Sequence, residues 1–287
     1  MTIIWAGLAL GSVYALTAML YNVTVATSGV FSFAAAQYVM IGTFVAYVVN
    51  VQWGLPAILA VPAGAVVGGV LGYLTELLAI RPLKDKTGWA PLVTTVGAGV
   101  VLEGLAFAIW GSDPLRVPPV VPDRAFDALG GQLQFNDLLL IVLGIVLCFG
   151  AHLLHKRSRW GLMGRAMTAD PDNAAARGIN VRGLVTGSFV VAGAVGGALG
   201  IVVAPKTETL FSVGTVLVVY AFAALTAGGF GSYVGCWVGG IVIGLLQAHT
   251  ERYVGSSYPL LLIFLLVLVV LLVKPTGLFG DRRVRLV

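Results

Sequence analysis

Residues 184–204 read LVTGSFVVAGAVGGALGIVVA, an apolar run of about 20 residues that contains no charged side chain. A helix of that length crosses the hydrocarbon core of a bilayer, because each residue adds about 1.5 Å. A second run, YPLLLIFLLVLVVLLV, occupies residues 258–273. Strands of a membrane barrel would instead alternate apolar and polar residues over about 10 positions. These runs therefore predict membrane helices.

The composition extends this prediction to the whole chain. Of 287 residues, 59% are hydrophobic and 10% are charged, and the mean hydropathy is +0.98. We predict an all-α, polytopic membrane protein with a single domain, residues 1–287, and eight to ten spans. Residues 22–36 mix Thr, Ser and Gly with apolar residues, so they could form one span or a broken, re-entrant helix. The expected spans are 3–21, 24–49, 55–79, 90–111, 137–155, 184–204, 210–228, 234–250 and 258–273.

The Lys and Arg residues predict the sidedness of the loops. They concentrate in three regions, which the positive-inside rule assigns to the cytoplasm. The loop 112–136, rich in Asp and Pro, and the turn 206–208 are then extracytoplasmic. We expect a multi-pass protein of the plasma (inner) membrane with a cytoplasmic C-terminus, and no nucleic-acid partner. The three basic regions contain Arg81, Lys84 and Lys86; Lys156, Arg157, Arg159, Arg165, Arg177 and Arg182; and Lys274, Arg282, Arg283 and Arg285.

A short polar helix is predicted within the cytoplasmic loop 156–183. Asp170 is a good N-cap, Pro171 suits the first helical position, Asp172 adds negative charge to the first turn, and Gly178 can end the helix in a left-handed conformation. So short a helix is marginal alone, which favours docking on a protein surface over an ordered loop without a partner. The candidate docking residues are Gly164, Arg165, Asp170, Pro171, Asp172, Asn173, Ala174, Ala175, Arg177 and Gly178.

Rows of three glycines at intervals of four residues occur twice in the sequence. Such rows allow helix backbones to approach closely, which is how membrane helices pack. A hinge or an irregular pathway lining is the alternative for residues 228–231. The two rows are Gly64, Gly68 and Gly72, and Gly231, Gly235 and Gly239.

Sequence motifs of catalysis are missing from the chain. It contains no GxxxxGK[ST] phosphate loop, no GxSxG elbow and no zinc-ligand spacing among its three histidines. We therefore expect no enzymatic activity, no cofactor and no metal site in this chain.

Two groups of residues are candidates for a translocation pathway. Glu103 is the acidic residue well inside a predicted span, where a charge is costly. Phe31, Ser32, Phe33 and Gln37 combine apolar and hydrogen-bonding groups. Simple interhelical packing is an equal alternative for both groups.

Six segments, in order, resemble the permease subunits of branched-chain amino acid ABC importers, a group related to ribose-type permeases. They are spread in order from residue 7 to residue 283, through nearly the whole chain, and together they are highly specific. They are GLALGSVYALTAM (7–19), SGVFSFAAAQYVMIGTF (28–44), TELLAIRPLKDKTGWAPLVTTVG (75–97), RSRWGLMGRAMTADPDNAAARGIN (157–180), AGGFGSYVGCWVGGIVIG (227–244) and KPTGLFGDRR (274–283).

The resemblance implies a type II ABC importer fold and a set of partners. These are a second, related permease, usually in a heterodimer, two cytoplasmic ATPase subunits that bind ATP and Mg, and an extracytoplasmic solute-binding protein. The membrane lipid and a small-molecule substrate complete the set. Residues 170–178 would then be the coupling helix that sits in a groove of an ATPase.

The resemblance also bears on the solute. Where the family commonly has NFAHG, this chain has Ser32, Ala35 and Ala36 in place of Asn, His and Gly. If this segment lines the route, either the solute is more apolar than a typical amino acid or the partner permease supplies the missing polar contacts. Branched-chain or other hydrophobic amino acids are the first candidates, and urea, short amides and small organic acids follow. An ATP-independent secondary transporter or channel is the alternative function, and a scaffold without transport is a third.

Overall fold

The computed structural model describes residues 2–83, 89–120, 125–128 and 131–280, and these residues are mainly helical. Five residues of the three basic regions lie outside the described residues: Lys84, Lys86, Arg282, Arg283 and Arg285. The helices are α1 (Thr2–Ser28), α2 (Ala35–Tyr47), α3 (Ala60–Thr75), α4 (Ala90–Trp110), α5 (Phe135–Arg157), α6 (Arg159–Ala169), α7 (Pro171–Ala176), α8 (Val181–Thr207), α9 (Val213–Gly228), α10 (Tyr233–Tyr253) and α11 (Pro259–Val273).

The predicted all-α, polytopic fold is confirmed. Within the described residues, six helical segments have the length and composition needed to cross a membrane, and α9 and α11 are shorter apolar helices. Two helices continue as π-helical turns: α2 into Val48–Gln52 and α3 into Glu76–Ile80. Two elements were not anticipated from the sequence. They are α6 and a hairpin of β1 (Ala125–Ala128) and β2 (Gly131–Gln134), in which Ala125 pairs with Gln134.

The first two spans end at different residues from those predicted. The expected boundary near residues 22–23 is wrong, because α1 continues to Ser28 and the break occupies residues 29–34. Polar side chains do not interrupt α1, since Thr24 Oγ1 and Ser28 Oγ donate hydrogen bonds to the carbonyls of Tyr21 and Thr24 one turn earlier. The break begins instead at Gly29, because its φ of 69° is incompatible with a right-handed α-helix. Of the two predictions for residues 22–36, the broken helix agrees with the structure.

Within the described residues the chain forms two compact units. Unit 1 falls within Met1–Met19, Pro119–His152 and Val219–Arg283, and unit 2 within Leu20–Pro118 and Leu153–Val218.

Unit 2 is built around close contact between α3 and α8. A Cβ atom added to Gly64, Gly68 or Gly72 would overlap the carbonyl oxygen of Gly197, Gly193 or Phe189, respectively. Backbone-to-backbone packing of this kind needs glycine, and it brings the two helices close enough for dispersion and Cα–H···O contacts.

Unit 1 uses glycine in the same way between α10 and its neighbours. A Cβ on Gly239 would overlap the Ala224 carbonyl of α9, and one on Gly235 would overlap the Gly228 carbonyl. Gly231 differs from the prediction, since it lies in the turn before α10 with a φ of 83°. The chain after α11 pairs with the end of α9, where Leu278 and Phe279 donate backbone hydrogen bonds to Ala227 and Gly228.

Loops that were predicted to share a side lie together at the two ends of unit 2. At one end, Leu115 and Thr209 form an antiparallel bridge, and Arg116 lies 3.8 Å from the Glu208 carboxylate. This brings together the two loops that the sequence assigned to the extracytoplasmic side. At the other end, Ile80 packs with Met167 and Leu184, so that residues next to the first and second basic loops share one cluster.

Candidate functional site

The predicted short helix is present as α7, with both ends satisfied by local hydrogen bonds. Asp170 Oδ1 accepts the backbone N–H groups of Asp172 (3.1 Å) and Asn173 (3.0 Å). The Asn173 backbone and side-chain amides, aided by the Asp172 N–H, lower the pKa of the Asp170 carboxyl below its usual value. The cap therefore stays ionised at neutral pH, as an N-terminal capping carboxylate should.

The C-terminal end of α7 is a Schellman motif. Gly178 takes a φ of 83°, its N–H donates to the Ala175 carbonyl at 2.9 Å, and the Ile179 N–H donates to the Ala174 carbonyl at 3.1 Å. This is the left-handed end expected from the glycine. The motif fixes where the chain leaves α7 to enter α8.

The preceding helix, α6, supports α7 and is itself anchored on unit 2. The Ser158 hydroxyl caps α6 by accepting the Gly161 N–H at 3.1 Å. Gly164 is buried, and a Cβ there would lie 3.1 Å from the Thr27 Cα near the end of α1. Arg165 is exposed, and its guanidinium donates to the His155 carbonyl. Of the candidate docking residues, Gly164 therefore contacts the chain's own first helix.

One apolar cluster joins α7 to the break between α1 and α2. We name it the coupling cluster; its buried members are Val30, Ile80, Met167, Ala174, Leu184, Val185 and Phe189. Ala174 is the inward-facing residue of α7, with 3% of its surface exposed. The other residues of α7 and the residue that follows it are exposed: Pro171, Asp172, Asn173, Ala175, Ala176 and Arg177.

The break itself holds three of the predicted pathway residues. Phe31 packs against Tyr21 and Phe33, with ring centroids 5.1 Å and 4.7 Å away. Ser32 is fully buried. In this conformation the three residues pack inside unit 2, directly after Val30 of the coupling cluster.

The other two predicted pathway residues lie at one face of α4: Gln37 of α2 packs against it and Glu103 is part of it. Gln37 is 3% exposed and touches Gly99, whose added Cβ would lie 3.5 Å from the Gln37 Cγ. One turn further along α4, Glu103 Oε2 accepts a 2.5 Å hydrogen bond from the Thr215 hydroxyl of α9. One turn before Gly99, Thr95 Oγ1 accepts the Phe33 N–H at 3.3 Å.

This face of α4 carries Glu103 and contacts Phe33 and Gln37, so residues of both predicted pathway groups lie beside it. Thr95, Gly99 and Glu103 repeat every four residues, which is the signal in the sequence that could have identified this face. The partners of this face on α9 were not predicted from the sequence; they are Gly214 and Thr215. Gly214 lies against Gln37, and a Cβ there would overlap Gln37 Oε1.

Comparison with known proteins gives matches over nearly the whole chain. The profile of the family described as "Branched-chain amino acid transport system / permease component" matches residues 3–273. The high-affinity branched-chain amino acid transport system permease protein BraD of Pseudomonas aeruginosa is 27% identical, over 97% of this chain and 95% of BraD. The corresponding protein LivH of Escherichia coli is 25% identical over 97% and 94%.

A solved structure has a similar fold. A chain of "PsaBC from Streptococcus pneumoniae in complex with Fab" superposes with a TM-score of 0.50, covering 96% of this chain and 93% of the other. The sequences are 13% identical, so the likeness concerns the fold alone.

Proposed function

We propose that this chain is the membrane subunit of an ATP-driven importer, because it belongs to the family of branched-chain amino acid transport system permease components. It would move its solute into the cytoplasm by alternating access. ATP and Mg would be bound by separate ATPase subunits, because this sequence contains no phosphate-binding loop. The protein would lie in the plasma membrane with its C-terminus in the cytoplasm.

The coupling cluster is the observation that carries this proposal. It contains Ala174 of α7 and Val30, the residue before Phe31, within one close-packed group. Packed cores transmit displacement because they resist compression. A motor that pulls on the outward face of α7 would therefore move the break in which Phe31, Ser32 and Phe33 lie.

The partners follow from the family and from the outer surfaces of the units. A second permease subunit would complete the pathway, in a heterodimer, and a solute-binding protein would deliver the solute from outside. Apolar side chains such as Val66, Val100 and Ile109 are more than half exposed and need lipid or a second permease around them.

Branched-chain or other hydrophobic amino acids are the proposed solutes. BraD and LivH are named for the transport of branched-chain amino acids. Ala35 and Ala36 are fully buried, and they add no hydrogen-bonding group to the start of α2. The apolar character of this segment suits a solute with an aliphatic side chain.

An exchange at Ala175 tests the proposal. Ala175 faces outward on α7, so Ala175→Arg should leave the fold intact and place an unpaired charge in the ATPase groove. We expect the affinity for the ATPase subunits to fall about tenfold or more, and ATP-driven uptake to fall with it. Co-purification of the complex and uptake of radiolabelled leucine into proteoliposomes measure the two effects.

Ala175→Ser is the matched control, because it keeps a small neutral side chain and should retain both assembly and uptake. Ala174 is unsuitable for this test, since it is buried in the coupling cluster and its exchange would disturb folding. Uptake that continues without any ATPase subunit would show an ATP-independent transporter and overturn the proposal.

A further inference from the structure

The Gln37 side chain has an unsatisfied oxygen in a buried position. Gln37 is 3% exposed, and Oε1 accepts no hydrogen bond from the residues that the structure describes. A buried carbonyl without a donor costs folding free energy, so proteins rarely retain one without another use for it. The group lies within a membrane-spanning unit, where no bulk solvent supplies a donor.

Two glycines leave room for this side chain. Gly99 of α4 touches its Cγ, and Gly214 of α9 lies so close to Oε1 that a Cβ at that position would overlap the oxygen. Any other residue at position 214 would push the Gln37 amide away from α9. Gly214 thus acts through Gln37, as a positioning residue for its Oε1.

The neighbouring positions add a second acceptor. Glu103 follows Gly99 by one turn of α4, and Thr215 follows Gly214 directly on α9. The hydrogen bond from the Thr215 hydroxyl to Glu103 Oε2 ties α4 to α9 and orients the carboxyl group. Carboxyl and carboxamide oxygens both accept hydrogen bonds, and a carboxyl group accepts more than one.

We infer that Gln37 Oε1 and the Glu103 carboxyl form an acceptor site that binds an N–H donor of the passing solute, its primary ammonium group. The site rests on the proposed function, which supplies a solute of that chemistry. The site discriminates against solutes that lack an N–H group, because such a solute leaves Oε1 without a hydrogen-bond donor. Phe33 of the break reaches the same face of α4, since its N–H donates to Thr95 Oγ1 one turn before Gly99.

Exchanges at Gln37 test the site in the complete, reconstituted transporter with radiolabelled leucine as the probe. Gln37→Met keeps the length of the side chain but removes the acceptor, so leucine uptake should fall about tenfold. The thermal midpoint of the purified complex should stay the same or rise, because the unpaired carbonyl is gone. Gln37→Glu keeps an acceptor at the same reach and should retain more uptake than Gln37→Met.

Gly214→Ala provides the second variant, and Gly104→Ala on α4 is its matched control, since a Cβ at Gly104 has no described neighbour within 4 Å. Gly214→Ala should lower leucine uptake severalfold, and Gly104→Ala should not. A packing role for Gln37 would instead lower the thermal midpoint and leave uptake by the folded complex unchanged.

The test separates this inference from the proposed function. If the unaltered complex takes up leucine only with ATP and Gln37→Met matches it, the acceptor site is wrong and the importer stands. If the unaltered complex takes up leucine without ATP, the importer is wrong whatever Gln37 does.

Discussion

Ala174 and Ala175 are neighbours in the chain with opposite environments. Ala174 is buried in the coupling cluster and Ala175 is exposed. The run of three alanines in α7 carries no signal of which residue faces inward, because that depends on residues as distant as Val30 and Phe189. Asp170 and Gly178 were predictable, since each ends the helix through hydrogen bonds to residues within five positions.

Glu103 was singled out from sequence for its cost in a membrane, but its partner was not predictable. The Thr215 hydroxyl comes from a helix more than a hundred residues later. Glu103→Gln keeps a carbonyl oxygen that can accept this hydrogen bond, whereas Glu103→Leu leaves the hydroxyl unpaired. We expect uptake near the unaltered level for Gln and about tenfold lower for Leu, measured with leucine in proteoliposomes. Equal uptake by the two variants would make Glu103 a packing residue.

At the scale of elements, the apolar runs predicted most of the helices. The predictions were wrong where helices contain polar residues, at the end of α1 and at α6. Thr24 and Ser28 satisfy their hydroxyls within α1, so a polar stretch remained helical. The helix α6 was missed because Arg159 and Arg165 look like parts of a basic loop until its buried face of Gly161, Gly164 and Met167 is known.

The contact between α3 and α8 gives a prediction about stability. Gly68→Ala places a methyl group against the Gly193 carbonyl, and backbone atoms on both helices cannot move aside cheaply. We expect a loss of about 1–3 kcal/mol in the free energy of unfolding, visible as a lower denaturation midpoint in detergent. Gly97→Ala on α4 is the control, since a Cβ at Gly97 has no described neighbour within 4 Å. Equal midpoints for the two variants would contradict close packing at Gly68.

At the scale of the whole molecule, the sidedness of the loops is a prediction from charge, and the contacts at the two ends of unit 2 show which loops lie together. Leu115 bridges to Thr209 at one end, and Ile80 packs with Ala174 at the other. The hairpin β1–β2 was not predictable from a loop rich in Pro and Asp, because its strands are only four residues long.

Labelling of single cysteines checks the orientation in the membrane. The native Cys148 and Cys236 are fully buried, so they should give little background. In right-side-out vesicles, a membrane-impermeant maleimide should label Ser112→Cys at once and Asn173→Cys only after permeabilisation. Both positions are exposed. Labelling of both from the same side would invalidate the assigned orientation and, with it, the cytoplasmic position of α7.

The pairing of α3 with α8 has a consequence for synthesis on the ribosome. Residues 76–180 separate the two helices, and at about 5–20 residues per second their translation takes roughly 5–20 s. During that interval the glycine face of the nascent α3 meets lipid or the insertion machinery in place of its final neighbour. Chains released before residue 181 lack the helix that packs on this face. Quality-control proteases should therefore encounter them with an incompletely packed helix bundle.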